Sequence, residues 1–155
     1  MQDKTLDINE WRSHALAFES SLNSVMLGLA PQIRSLTIAI FSRGHVLLEG
    51  DVGVGKTTLL RAAARLLGGA YQRIEGAVDL MPGDFLYHAY MNEEGQPAVA
   101  PGPLLQHDDK LAVFFFNEIN RARPQAHSLL LRLMAERSVS AFNREYAFPH
   151  LTVFA

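Results

Sequence analysis

The chain has 155 residues, 48% of them apolar and 19% charged, values of one globular domain long enough to bury a core. Its formal net charge of −2 gives no basic face for nucleic acid, and without cysteine it can form neither disulfides nor thiolate metal sites. Leu36–Phe41 and Leu111–Phe116, the longest apolar runs, cannot span a bilayer, and Met1-Gln2-Asp3-Lys4 opens no apolar signal segment, which together suit a cytoplasmic protein.

In chain order, Ile8, Trp11, Ala15, Phe18, Leu22, Val25 and Leu29 recur three and four apart. They predict a helical segment over residues 1–30, with Asp7 as its N-cap and either the domain's flank or a partner protein against its stripe. Pro31 suits a first helical position, and Ile33, Leu36 and Ile40 mark a second helix ending near Gly44. His45-Val46-Leu47-Leu48-Glu49 reads as a short buried strand. A glycine-rich stretch follows, and then Leu59, Ala62, Ala63, Leu66 and Leu67 trace one face of a helix that Gly68-Gly69 stops.

A second strand is expected at Tyr71–Glu75. Met81–Pro103 mixes Gly and Pro through the chain and promises some helix at most. Leu111–Phe116 is apolar on both faces, as in the middle of a parallel sheet. Pro124 opens a helix with Ala126, Leu129, Leu130, Leu133 and Met134 on its apolar face. Ser138–Phe148 suggests a hairpin turning at Asn143-Arg144, and Leu151–Phe154 begins another strand. Strands alternating with helices imply a right-handed parallel α/β sheet covered on both faces, with ligands at the carboxyl ends of the strands.

The glycine-rich stretch is Gly50-Asp51-Val52-Gly53-Val54-Gly55-Lys56-Thr57, a full match to G-x-x-x-x-G-K-[ST]. Each fixed position has its own task in holding a nucleotide triphosphate tail. The glycines allow a tight turn whose successive N–H groups converge on phosphate oxygens. Lys56 brings a mobile positive charge to the β- and γ-phosphates, the Thr57 hydroxyl can ligate Mg²⁺, and Thr58 is a further nucleotide-binding candidate. A helix starting at about Thr57 aims its positive dipole end at the same phosphates. The strand–loop–helix order around the motif favours a working phosphate loop over a glycine-rich turn without a ligand.

Binding alone does not hydrolyse. The apolar strand Leu111–Phe116 delivers Asn117-Glu118 at its carboxyl end, where an Mg²⁺-associated group and a water-activating base are needed. Glu118 is the candidate base, against the plainer reading of a solvated carboxylate at a helix start. Asn117 stands where an aspartate is expected. Its amide oxygen can accept from a Mg²⁺-bound water but adds no negative charge, so weaker Mg²⁺ binding and slower turnover are expected than with aspartate.

Gly44–Gly50, the phosphate loop, Gln72-Arg73-Ile74, Asp79–Asp84, Gly102-Pro103-Leu104 and Asn117-Glu118-Ile119-Asn120-Arg121-Ala122 follow in the order seen in MoxR-type AAA+ ATPases. Over roughly residues 25–155 the chain resembles that family. The resemblance implies a P-loop NTPase (AAA+) fold, a three-layer αβα sandwich, occupying residues 31–155. It also implies an insert at about Asp84–Ala100 and a hairpin at Ser138–Phe148. It places the start of an adenine pocket at Leu27-Gly28, and implies ATP and Mg²⁺ as cofactors. Its members resemble ring-forming, chaperone-like ATPases for maturation or metal loading of other proteins, often beside partners with a von Willebrand factor A domain.

Two departures stand out. The family pattern has Asp-Glu where this chain has Asn117-Glu118. Its sensor-1 residue, arginine finger, sensor 2 and helical lid are expected beyond Ala155, as in a piece of a longer protein. Arg121 and Arg123 are candidates for contact with a neighbouring subunit's nucleotide, or else surface arginines at a helix start. The leading reading is an ATP-hydrolysing motor acting on client proteins; the alternative is a nucleotide-gated binding module that scarcely hydrolyses. A small-molecule kinase would need a substrate lid and an acceptor site, and neither is visible.

Overall fold

The computed structural model describes residues 7–51 and 53–155. Helix α1 (Ile8–Val25) starts after Asp7, whose side chain makes no capping hydrogen bond. Phe18 and Leu22 are buried, whereas Ile8 and Val25 are 78% and 65% exposed, so the stripe read from the sequence runs past the part that packs. The packed part rests on α2 (Ala30–Phe41) through Trp11 and Phe18, whose rings meet Phe41 edge-on at 5.4 and 5.7 Å. An Arg34–Glu19 ion pair at 2.8 Å links the same two helices.

Helix α3 (Lys56–Leu67) begins one residue before the expected start and ends on Gly68 in the left-handed conformation. Its buried face is Leu59, Leu60, Ala63 and Ala64. Leu66, expected inside, is 46% exposed, while Ala62 and Leu67 are only partly buried. The sequence offers two overlapping apolar stripes, and packing on the sheet selects the one centred nearer Leu60.

The central sheet is parallel, in the order β1 (Ala70–Glu75), β4 (Leu111–Asn117), β7 (Thr152–Phe154). Arg73 pairs with Phe115 and Glu75 with Asn117, so β1 and β4 end level with each other. The strand expected at 45–49 is reduced to a bridge between Val46 and Phe154. Val46 N donates to Val153 O at 3.0 Å and Leu48 N to Ala155 O at 2.7 Å.

Strand β4 is buried on both faces, as its composition predicts. Val113 and Phe115 join Phe154 and the residues of α1, α2 and α3 in one core cluster. Phe114 and Phe116 face the other way, into a cluster with Ala126, Leu130 and Leu133 of α5 (Pro124–Glu136). Helices thus cover both faces of a parallel sheet, the αβα arrangement expected from the sequence.

The segment Met81–Pro103 departs from expectation. After the short helix α4 (Pro82–Leu86) it forms an antiparallel hairpin, β2 (Tyr87–Met91) with β3 (Pro97–Pro101). Every residue of β2 is exposed, so no inside–outside alternation was imposed on its sequence. The turn is fixed instead by Asn92, whose Oδ1 accepts from the N–H groups of Glu94 (3.1 Å) and Gln96 (2.8 Å). A second hairpin, β5 (Ser138–Ala141) with β6 (Arg144–Ala147), lies where expected, but it turns at Phe142-Asn143. Both residues have positive φ, 51° and 57°, as a two-residue turn of this hand requires. The expected turn was therefore one residue late. Phe142 packs on Tyr87 with ring centroids 5.8 Å apart, joining the two hairpins.

Candidate nucleotide site

The glycine loop leads directly into α3. Gly53 and Gly55 take φ of 87° and 89°, values that side chains with a Cβ resist, and Gly55 is the residue before the first helical turn. The loop therefore ends at the positive end of α3. Lys56 lies over the loop, its Nζ donating to the carbonyls of Gly50 and Asp51. Asp51 and Val54 are exposed on the loop, and Val52 lies outside the described residues.

His45 anchors the approach to this loop. Its Nδ1 accepts from Val153 N–H at 3.0 Å, which leaves Nε2 to donate to Met134 O at 3.1 Å. Burial holds its pKa below the usual histidine value, partly opposed by the Met134 carbonyl and reinforced by the nearby Arg137 guanidinium. The neutral ring thereby ties the segment before the loop to both β7 and α5.

The second half of the site comes from the end of β4. Alternation along the strand puts Asn117 on the face of Val113 and Phe115, towards α3. Asn117 Nδ2 donates to Glu75 Oε1 at 2.6 Å. Glu75 Oε2 meets Arg73 Nη2 at 2.7 Å, and Arg73 Nη1 lies 3.4 Å from Thr57 Oγ1. A chain of polar contacts therefore runs from the strand ends to the first turn of α3.

Glu118 follows in the left-handed conformation, φ 54° and ψ 44°, and opens a single 3-10 turn, Ile119–Arg121. Its Oε2 is 3.2 Å from Arg121 Nε. The turn is braced by Gly76, whose N–H donates to Asn117 O at 2.8 Å. A Cβ on Gly76 would lie 2.1 Å from Glu118 O, so only glycine allows β1 to approach this closely.

Lys56, Thr57, Thr58, Gly53 and Gly55 line a cleft of about 330 Å³ together with Arg73, Asn117 and Glu118. An adjoining opening of about 440 Å³ is lined by Gly50, Lys56, Asn117, Glu118 and Asn120, among others. The loop and the strand end, 60 residues apart in the chain, thus form one site. Its hydroxyl, amide and carboxylate oxygens suit a hard cation such as Mg²⁺. Among the described residues no group of three or more His, Cys, Asp or Glu could hold a metal ion by itself.

Other candidates stand apart. Gly28, φ 77°, lies in the turn between α1 and α2 and does not line the 330 Å³ cleft. Its neighbour Met26 comes closer, with Cε 3.6 Å from where a Cβ on Gly55 would lie. Arg121 reaches Glu118 but is 67% exposed, and Arg123 is exposed just ahead of α5. Sequence reasoning missed Glu75 and Gly76 and gave Arg73 no part in the site. Their only signal was position, at and just after the end of the strand expected at Tyr71–Glu75.

Residues 45–155 match the family model described as "ATPase family associated with various cellular activities (AAA)". The chain is 66% identical over 148 residues to Protein MoxR of Methylorubrum extorquens, covering 96% of this chain and 43% of that protein. It is 61% identical to Protein MoxR of Paracoccus denitrificans, covering 96% and 44%, and 32% identical to Chaperone MoxR1 of Mycobacterium tuberculosis, covering 81% and 32%. The chain therefore spans less than half the length of these relatives. A solved structure from Cytophaga hutchinsonii, whose assignment as an ATPase is itself inferred, superposes with a TM-score of 0.73 at 27% identity, over 93% of this chain and 43% of that one. With a phosphate loop and a strand-end Asn-Glu pair meeting on a parallel αβα core, the chain belongs to the AAA ATPase family and is of the MoxR type.

Proposed function

We propose that the chain binds Mg²⁺–ATP between the Gly50–Thr57 loop and the end of β4, and forms part of an ATP-hydrolysing motor. In this reading the loop N–H groups and Lys56 hold the phosphates. Thr57 and Asn117 face the ion, Asn117 through water. Glu118 orients and deprotonates the attacking water. Mg²⁺, when bound, neutralises charge on the β- and γ-phosphate oxygens. The observation that carries the proposal is the shared cleft, where Lys56 and Thr57 lie with Asn117 and Glu118.

For the whole protein we infer a cytoplasmic, homo-oligomeric ring that remodels client proteins in maturation or metal loading, with a von Willebrand factor A-domain protein as a candidate partner. The chaperone named among the relatives supports this reading. Arg121, beside Glu118, and Arg123, ahead of α5, are both exposed and are candidates for the subunit interface. No described helix is long and apolar enough to cross a membrane. The competing reading, a nucleotide-gated module with little hydrolysis, draws on Asn117 in place of a carboxylate.

Titration of ATP with Lys56→Ala against the unchanged chain tests the site. Binding should weaken at least about tenfold and any turnover should vanish, because the Lys56 ammonium is removed from the cleft. Unchanged ATP affinity in that variant refutes the site. Turnover by the unchanged chain then separates motor from module.

A further inference from the structure

We propose that Glu75 supplies, across the β1–β4 pair, the carboxylate that residue 117 lacks, so that the Mg²⁺ of a bound nucleotide is served by a Glu75–Asn117 unit. This rests on the nucleotide reading above. Three observations carry it. Glu75 and Asn117 are register partners at the last rung of both strands, so their side chains emerge level with each other. They are joined at 2.6 Å, and because a carboxylate only accepts, it must be the Asn117 Nδ2 that faces it. Asn117 Oδ1 is thereby left free to accept from a metal-bound water.

The third observation is the position of a positive charge. The Arg73 guanidinium bridges Glu75 Oε2, at 2.7 Å, and Thr57 Oγ1, at 3.4 Å. Thr57 is the hydroxyl that the phosphate-loop pattern assigns to the ion. A cationic group already stands between the hydroxyl and the carboxylate that an Mg²⁺ ion and its waters would share. Arg73 and Glu75 are 37% and 55% exposed in their side chains, so their pairing is weakly held and can yield to a divalent ion.

The pair also accounts for Asn117 itself. An aspartate there would press a second carboxylate against Glu75 at the same distance, whereas the amide turns that contact into a hydrogen bond. The negative charge is not lost from the site but carried by the neighbouring strand, and Asn117 acts as its positioning residue.

The test is a fluorescent ATP analogue titrated into the chain, first with EDTA and then at rising Mg²⁺. Glu75→Gln should keep the metal-free affinity and need about tenfold more Mg²⁺ for half-maximal tightening, as for loss of an outer metal partner. Glu75→Gln with Asn117→Asp exchanges donor and acceptor in the same bond and should restore the Mg²⁺ midpoint to within about threefold of the original. The proposal is overturned if Glu75→Gln leaves that midpoint unchanged, if it weakens binding equally in EDTA, or if the double variant fails to restore it. An unchanged chain that binds no nucleotide under either condition overturns the nucleotide reading, and this proposal with it.

Discussion

Gly76→Ala perturbs the contact that sets the geometry of the site while leaving every side chain proposed to meet the nucleotide unchanged in identity. The added Cβ would lie 2.1 Å from Glu118 O and 2.9 Å from Glu118 C, whereas real contacts of this kind stay beyond 3.0 Å. The strand ends must therefore separate by roughly 1 Å, and both neighbouring atoms are backbone, which cannot rotate away. Overpacking of this size costs about 2 kcal/mol. For a domain of this length that lowers Tm by roughly 4–8 °C. The same shift displaces Glu118 and stretches the Asn117–Glu75 bond, and a ~1 Å misplacement of a reacting group costs on the order of a hundredfold in rate. The loop and Lys56 lie outside the shift, so ATP affinity in EDTA should stay within about threefold of the original. Thermal melts, nucleotide titration and steady-state turnover measure the three effects, with Val78→Ala, an exposed neighbour, as the control. A Gly76→Ala chain with unchanged Tm and turnover refutes the claim that this contact holds the strand end in place.

Two further outcomes follow from the fold. His45 has a folded-state pKa below its unfolded value, so its contribution to stability is complete above the unfolded pKa and is lost as pH falls through the folded one. Tm should decline from pH 7.5 to 5.5, and less steeply in His45→Gln, whose amide can keep both hydrogen bonds without titrating; equal slopes would exclude His45 as the source. Phe116 is fully buried and meets Phe85 edge-on at 5.5 Å, so Phe116→Ala should cost ~3–5 kcal/mol in urea denaturation. A loss below about 1 kcal/mol would mean that the cluster around β4 collapses to fill the space.

The phosphate loop could be read from the chain because its chemistry is local. Gly53 and Gly55 are needed where the backbone takes positive φ, and Lys56 and Thr57 follow at once. Strand β4 was legible for a different reason. A run buried on both faces has no polar positions, and Leu111–Phe116 has none. The hairpin β2–β3 was not legible, since β2 is exposed along its whole length and pairs only with β3. Helix α3 shows the intermediate case. Its existence followed from periodicity, but the choice between Leu60 and Leu66 as an inward residue belonged to the sheet beneath it.

The sequence by itself determined the parallel αβα order, the loop that can cradle phosphate and the Asn117-Glu118 pair at a strand end, because each is written in consecutive residues. Only the tertiary structure decided what stands beside that pair. Glu75 and Gly76 lie 42 residues before Asn117 and Glu118, and nothing in their immediate surroundings distinguishes them. They enter the site because parallel pairing of β1 with β4 ends both strands at the same level, and register between distant strands is fixed by the packing of the whole sheet.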